Sequence, residues 1–177
     1  YRPGTISGRG FDPEELARIK PGIVYVTISA YGHKGPWSDY RGFDSLTQSA
    51  SGIVFEGMMA AGTGEPHPLP CQALDHGTGY LAAFGAMAAL KRRAEEGGSW
   101  MVRVSLAQTG RWIDKLGRVD GLSIINPEEK DISDLLETHS SPWGEILHVK
   151  PPEVMTETTP FWTTGPVPVG THEPTWV

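Results

Sequence analysis

The residues Ile23-Val24-Tyr25-Val26-Thr27-Ile28-Ser29 constrain the fold of this chain more than any other segment. They are almost continuously apolar and β-branched, a pattern typical of a strand buried on both faces of a parallel sheet. Before them, Asp12-Pro13-Glu14-Glu15 predicts a helix start, with Asp12 as N-cap and Pro13 at the first helical position. Lys20-Pro21-Gly22 ends that helix. A helix leading into a buried strand predicts an α/β architecture.

The segment Asp75–Arg93 carries the strongest helix signal. Its middle, Tyr80–Leu90, contains no charged residue, so we expect it to be buried all round. Gly97-Gly98 ends the helix. Between the two strong segments the residues predict a helix over Asp44–Ala50 and then an irregular, glycine-rich stretch to Pro70. Trp100–Leu106 alternates as a strand does.

Charge, cysteine content and hydropathy exclude several classes of protein. The net charge is −6: residues 1–120 hold 13 basic and 12 acidic side chains, and residues 121–177 hold 2 and 9. This balance argues against a nucleic-acid binder, although the near-neutral first part can hold an anionic ligand locally. No apolar run approaches the roughly 20 residues that span a bilayer. A single cysteine, Cys71, fits a reducing compartment, so we expect a cytoplasmic protein.

The two parts of the 177-residue chain differ in composition. Seven of the fifteen prolines lie in residues 142–177, which predicts an extended segment wrapped on a surface. The chain begins at Tyr1 without a leader, and we interpret it as a piece of a longer protein. We therefore expect a core portion over residues 1–111, incomplete at its N-terminus. A shortened linker and extended C-terminal segment follow over residues 112–177.

Asp75 is the main catalytic candidate. It stands at the head of the predicted long helix, beside Gly77 and Gly79, which let another molecule approach the backbone. The helix dipole favours an ionised carboxylate there, and a carboxylate nucleophile can form an anhydride or a thioester. The alternative is that Asp75 is simply an N-cap, and local sequence alone favours that alternative.

Other reactive side chains give weaker signals. His76 suits a general base or an ordinary surface residue. Cys71 lacks a histidine–acid partner pattern, so we expect a buried, inert thiol rather than a nucleophile. The loop from Gly32 to Pro36, with His33 and Lys34, suits either a phosphate contact or a solvated turn. No spacing of cysteine or histidine indicates a metal site.

Several segments, in order along the chain, resemble the family III CoA-transferases of the formyl-CoA and carnitine-CoA transferase type. They are YRPG at 1–4, FDPEELARIKPGIVYVTISAYGHKGPW at 11–37, GFDSLTQSASGIV at 42–54, LPCQALDHGTGYLAAFGAMAALKRR at 69–93, GSWMVRVSLAQT at 98–109, SSPWGEILHVKPPEVMTETTPFW at 140–162 and GPVPVGTHEPTW at 165–176. The resemblance covers most of the chain. It implies an α/β, Rossmann-like layered fragment with a Pro-rich C-terminal extension.

The resemblance also implies a reaction and a site. In such enzymes an aspartate, here Asp75, attacks an acyl-CoA to give an acyl-aspartyl anhydride and then an aspartyl-CoA thioester. An incoming carboxylic acid reverses both steps, so acyl-CoA and a small carboxylic acid are the expected partners, with no metal. The family's interlocked dimers imply a homodimer or pairing with another half of the same protein. The implied CoA-contacting residues are Tyr1, Arg2, Ser29, Ala30, Tyr31, Gly32, Lys34, Gly77 and Gly79.

Three departures from the family pattern leave two rival functions open. The N-terminal Rossmann-like strands, most of the small domain, and the glycine-rich shielding loop of formyl-CoA transferases do not match anything in this sequence. A non-catalytic half or subunit of a CoA-transferase is therefore one alternative. The other is an α-methylacyl-CoA racemase, which also keeps the aspartate. Racemases pair it with a histidine in Gly-His-Asp, and here that segment reads Gly42-Phe43-Asp44.

Overall fold

The computed structural model describes residues 4–175. Its helices and strands are α1 (Pro13–Ile19), β1 (Val24–Ser29), α2 (Asp44–Ala50), α3 (Ile53–Ala61), α4 (Ala73–Glu96), β2 (Trp100–Ser105), α5 (Leu106–Lys115), β3 (Leu136–Ser141) and β4 (Gly144–Val149). Short 3₁₀-helices cover Ser7–Arg9 and Glu129–Leu135. The chain divides into two compact units between Leu122 and Ser123. The predicted boundary after residue 111 lies inside α5, which packs with α4 and β2 of the first unit.

Both predicted strands are present in the first unit, and they pair with each other in parallel as β1 and β2. The register runs from Val24 opposite Trp100 to Ser29 opposite Ser105. Helix α4 packs on both strands, and its Gly85 allows close contact, because a β-carbon there would lie 2.6 Å from Cγ1 of Val102. Both strands end at the same edge of the sheet, where a loop follows β1 and α5 follows β2.

The start of α1 follows from its sequence. Oδ1 of Asp12 accepts a hydrogen bond from the backbone N–H of Glu15 at 2.9 Å, and Pro13 is the first helical residue. Such a cap satisfies a backbone donor that the helix leaves without a partner. The predicted helix Asp44–Ala50 is also confirmed, as α2.

The expected burial of β1 and α4 is wrong for this chain alone. Val26 and Ile28 of β1 remain 38% and 46% exposed, since the described residues form a sheet of only two strands here. Helix α4 buries a face that includes Leu74, Thr78, Ala82 and Ala89. Its opposite side exposes Tyr80, Phe84 and Met87, at spacings of four and three residues. We call these three residues the apolar stripe of α4.

Two helices, α3 and α5, were not predicted from the sequence. Helix α3 occupies part of the stretch expected to be irregular, and it is bounded by Gly52 and Gly62, both with positive φ. A β-carbon at Gly57 of α3 would lie 2.0 Å from the carbonyl oxygen of His67, so this glycine lets a distant backbone segment approach. Helix α5 directly follows β2, with Ser105 as its N-cap.

The second unit is built around an antiparallel hairpin of β3 and β4. Its two-residue loop is Pro142-Trp143, and Ser141 Oγ accepts from the N–H of Trp143 at 3.2 Å while donating to the carbonyl of Gly144 at 2.7 Å. The segment predicted to be extended from residue 142 thus includes β4, which pairs with β3. From Lys150 to Thr175 the described chain contains neither helix nor strand.

Within residues 4–175, no helix combines the length and the apolar character that crossing a membrane requires.

Candidate active site

Asp75 lies in the first turn of α4 and is exposed to solvent. The N-cap position belongs to Gln72, whose backbone is left-handed (φ 51°, ψ 49°) and whose side chain makes no capping hydrogen bond. The alternative that Asp75 is simply the N-cap is therefore wrong. Its carboxylate is on the helix surface, near the positive end of a helix dipole summed over 24 residues.

The capping group of α4 comes from a different helix. The backbone N–H groups of Leu74 and Asp75 donate to Oδ2 of Asp44, at 2.7 and 2.9 Å. Asp44 is the first residue of α2 and is only 2% exposed. Hydrogen bonds from backbone amides to an ionised carboxylate are stronger than neutral ones. Asp44 thus fixes the backbone that carries Asp75 and leaves the Asp75 side chain free of capping.

A second side chain of α2 extends this link. Nε2 of Gln48 donates to Oδ1 of Asp44 at 2.5 Å, and Oε1 of Gln48 accepts from the backbone N–H of Leu69 at 2.8 Å. Gln48 is also buried. The order of donors and acceptors fixes the orientation of its amide, because a flipped amide would oppose donor to donor at Leu69 and acceptor to acceptor at Asp44. Together, Asp44 and Gln48 hold the segment that leads into α4.

An open depression of about 1030 Å³ runs along β1 and β2 and includes their carboxyl ends at Ser29 and Ser105. Four of the predicted CoA-contacting residues, Ser29, Tyr31, Gly32 and Lys34, line it. Ser29 Oγ accepts from the N–H of Gly32 at 3.1 Å, which shapes the turn after the strand. Ligands in open α/β sheets commonly bind outside the carboxyl ends of the strands. This edge can therefore hold a large ligand.

The other predicted site residues have different surroundings. Ala30 is buried, and its carbonyl accepts from the N–H of Ala107 at 2.9 Å. A β-carbon on Gly77 would lie 3.0 Å from Cγ2 of Thr109, whereas one on Gly79 would meet nothing within 4 Å. Gly79 thus faces open space and Gly77 faces α5. Tyr1 and Arg2 lie outside the described residues.

Asp75 is not among the residues that line the depression, but two contacts connect the regions. Thr78, one turn after Asp75, shares a buried 2.6 Å hydrogen bond with Thr109, which lines the depression. On the other side, Gly42 packs so closely beneath the loop after β1 that a β-carbon there would lie 2.7 Å from Cβ of Ala30. Gly42 stands two residues before Asp44, the cap of α4.

The structure places none of the weaker candidates in an environment suited to catalysis. Cys71 is exposed, with φ 50°, so the expectation of a buried thiol is wrong. His76 is exposed in the first turns of α4. Phe43, at the position of the racemase histidine, is 76% exposed.

Comparison with known proteins decides the family. Residues 1–116 match the sequence profile of CoA-transferase family III. The chain belongs to this family. The α/β expectation is confirmed as well, since this chain matches the crystal structure of Rv3272 from Mycobacterium tuberculosis with a TM-score of 0.58. That match has 29% sequence identity and covers 66% of this chain and 33% of Rv3272.

Two curated relatives of the chain are named as CoA-transferring enzymes. The acetyl-coenzyme A transferase nodX of Hypoxylon pulicicidum is 31% identical over 152 residues, 84% of this chain and 24% of nodX. The acetyl-CoA:oxalate CoA-transferase of Acetobacter aceti is 35% identical over 109 residues, 60% of this chain and 27% of that enzyme. The chain thus spans about a quarter of the length of these relatives.

Proposed function

We propose that this chain is the portion of a CoA-transferase that carries the nucleophile, and that Asp75 is that nucleophile. The observation that carries the proposal is the position of Asp75: its side chain is exposed on the first turn of α4, while the buried carboxylate of Asp44 caps that turn. A nucleophile must be held rigidly and yet remain free to react. The division of labour between Asp44 and Asp75 meets both requirements.

The proposed reaction has four steps. The Asp75 carboxylate attacks the acyl-CoA carbonyl, forming a mixed anhydride and releasing CoA thiolate. The thiolate attacks the aspartyl carbonyl, forming an aspartyl-CoA thioester and releasing the donor acid. The acceptor carboxylate then attacks this thioester, giving a second anhydride and thiolate. Attack of the thiolate on the acceptor acyl carbon forms the new acyl-CoA and restores Asp75.

Helix α4 supports this chemistry through its dipole. Its positive end favours the oxyanions that develop as each tetrahedral intermediate forms. Gly79 leaves open space on the helix surface, which suits a bulky thioester. The resemblance to family III enzymes implies further contacts with CoA, and the proposal includes them at Tyr1, Arg2, Gly77 and Gly79.

The depression at the sheet edge is the proposed site for the rest of CoA. Lys34 supplies a cation for the phosphates of CoA. Tyr31 supplies an aromatic ring, which packs edge-on against Trp37 with 5.1 Å between the ring centroids. Ser29, Ala30 and Gly32 shape the backbone there. CoA and the small carboxylic acid are substrates in this scheme, and no step requires a metal.

We also propose that the active form pairs this chain with a second copy or with another half of the protein. The apolar stripe of α4 supports pairing, because Phe84 at its centre is 67% exposed in this chain. The single free cysteine suits a cytoplasmic setting. A non-catalytic half or subunit of a CoA-transferase is the alternative function.

Covalent labelling separates these functions. The full-length protein that carries this chain is incubated with acyl-CoA, trapped with hydroxylamine or borohydride, and digested for peptide mapping by mass spectrometry. We expect the modification at Asp75, and Asp75→Asn should lose most turnover while keeping its folded far-UV spectrum. Losing a covalent route costs upwards of about 4 kcal/mol of barrier, or roughly a thousandfold in rate. A label elsewhere, or near-normal turnover of Asp75→Asn, contradicts the proposal; complete absence of label supports the non-catalytic alternative.

A further inference from the structure

The hairpin of the second unit brings together three side chains that the sequence separates. Glu137 and His139 lie two residues apart on β3, so they point to the same face of the strand. His148 of β4 is the direct cross-strand partner of Glu137. One ligand-type atom from each of the three residues lies within 4.8 Å of those from the other two.

The two imidazoles are in direct contact. Nδ1 of His139 lies 2.6 Å from Nε2 of His148, and the rings are nearly parallel, with an interplanar angle of 5°. Oε1 of Glu137 lies 3.8 Å from the same Nε2 of His148. Nε2 of His148 is thus the atom on which the cluster converges.

A backbone hydrogen bond selects the tautomer of the neutral His148 ring. Its Nδ1 lies 2.9 Å from the carbonyl oxygen of Val149, which can only accept, so we assign the proton of the neutral ring to Nδ1. This assignment leaves a lone pair on Nε2, directed at the cluster. Histidines that bind metals commonly hold their second ring nitrogen in this way, by donating to a carbonyl.

The carboxylate of Glu137 adds an independent observation. Its Oε1 is buried and has no hydrogen-bond partner in the described structure. Leaving such an atom unpaired costs free energy, and it calls for a partner that the protein's own described side chains do not provide. A cation bound between Oε1 and the two imidazoles would satisfy it.

From this geometry we propose that Glu137, His139 and His148 bind a divalent transition-metal ion of the zinc type. Two imidazoles and one carboxylate form a ligand set that suits Zn²⁺ better than Mg²⁺ or Ca²⁺, which prefer oxygen ligands. Tetrahedral ligation at roughly 2.0–2.1 Å places ligand atoms roughly 3.4 Å apart. The His139–His148 contact therefore opens, and the Glu137–His148 separation closes, by under about 1 Å each. The fourth position is open to water.

The site would staple a unit that has little core of its own. Among the described residues from Ser123 to Thr175, none is buried. A two-stranded hairpin is marginally stable in water, and a metal that bridges β3 and β4 links binding free energy to folding. The ion would also offset the acidic excess of residues 121–177, which hold 9 acidic and 2 basic side chains. The site is independent of the proposed transfer reaction.

Sequence patterns gave no sign of this site because the ligand spacing follows hairpin register. Known zinc motifs with a cysteine pair or a helical His-Glu pattern have short, fixed spacings. Here a Glu-X-His pair on one strand meets a histidine from the next strand, and only the pairing of Glu137 with His148 unites them.

The 177-residue chain, freed of metal with a chelator, is titrated with Co²⁺ while its visible absorption is followed, and Zn²⁺ then competes. We expect saturation at one ion per chain, displacement by Zn²⁺ and no displacement by equimolar Mg²⁺. Separate variants His139→Gln, His148→Gln and Glu137→Gln are compared with His172→Gln, which changes an exposed histidine of the same unit. Each cluster variant should weaken binding by more than the roughly 10- to 100-fold that loss of an outer partner costs.

Far-UV circular dichroism of each metal-free variant checks its fold, and Glu137→Gln keeps both imidazoles if a histidine variant does not fold. His172→Gln should bind Co²⁺ with the same affinity as wild type. The proposal is overturned if Co²⁺ binding does not saturate, or if His172→Gln weakens it as much as the cluster variants. The proposal is also overturned if the single variants Glu137→Gln and His148→Gln both bind Co²⁺ as tightly as wild type.

Discussion

Replacing Asp44 by asparagine tests the link that holds Asp75 in place. Asp44 accepts three hydrogen bonds, from the backbone of Leu74 and Asp75 and from the side chain of Gln48. Asparagine retains one acceptor oxygen, which can still cap α4. Its NH₂ group, however, then faces the NH₂ group of Gln48. Flipping Gln48 only transfers this conflict to the N–H of Leu69, so one buried donor must lose its acceptor.

The expected cost follows from that lost acceptor. An unsatisfied buried donor costs about 1–3 kcal/mol, so Asp44→Asn should lower the free energy of unfolding by that amount. Asp44→Ala removes all three hydrogen bonds to a charged acceptor, and the expected loss is about 3–5 kcal/mol. This is a large fraction of the roughly 5–15 kcal/mol that stabilises a typical domain, so asparagine is the more informative change.

A second substitution should reverse the effect. In Asp44→Asn/Gln48→Glu, the new carboxylate at 48 accepts from Asn at 44 and from the N–H of Leu69, so every donor regains an acceptor. We expect the free energy of unfolding of the double variant to lie within about 1 kcal/mol of wild type. The coupling free energy between the two substitutions should be at least about 1 kcal/mol. Urea unfolding followed by circular dichroism measures all four species. Asp39→Asn, which removes an exposed carboxylate of the preceding loop, is the matched control. Strict additivity, or an Asp44→Asn cost no larger than that of Asp39→Asn, would refute the reasoning.

Three further predictions concern α4 and the reaction type. Gly85→Ala should destabilise the fold by about 1–3 kcal/mol, because the added methyl group meets Val102. Gly79→Ala, on the same helix, should stabilise the fold by about 0.5–1 kcal/mol and weaken CoA binding. Equal urea midpoints for the two variants would contradict this. Phe84→Glu should leave the unfolding free energy of this chain nearly unchanged and prevent pairing of the full-length protein, as measured by analytical ultracentrifugation; an unchanged oligomer would contradict the role of the apolar stripe. Since Phe43 cannot abstract a proton, the full-length enzyme should not exchange the α-proton of a 2-methylacyl-CoA in deuterated water, and rapid Asp75-dependent exchange would favour a racemase.

Local signals in the sequence were sufficient for several elements. The Asp12-Pro13 start of α1, helix α2 and the extended segments β1 and β2 all depend on residues that are neighbours in the chain. Capping, proline geometry and runs of β-branched residues act over a few positions, so a single sequence reveals them.

The features that sequence reasoning missed depend on distant residues. The cap of α4 comes from Asp44, about 30 positions before the residues it holds, so Asp75 itself appeared to be the cap. Helix α3 was hidden because Gly57 serves a contact with His67 rather than a break in structure. The absence of charge over Tyr80–Leu90 indicated burial but not which element would cover each face. Local sequence left Asp75 as either a nucleophile or an N-cap, and the resemblance of its segment to a known family favoured the nucleophile.

The most direct test of the central claim follows an oxygen atom. In the proposed mechanism, the acceptor carboxylate attacks aspartyl-CoA, and the later attack of thiolate on the acceptor acyl carbon leaves one acceptor oxygen on Asp75. The full-length enzyme is therefore turned over with acyl-CoA and an acceptor acid labelled with heavy oxygen in its carboxylate. Mass spectrometry of the Asp75 peptide should then show heavy oxygen in the Asp75 carboxylate and nowhere else in the protein. Formation of product without heavy oxygen in Asp75 would contradict the account.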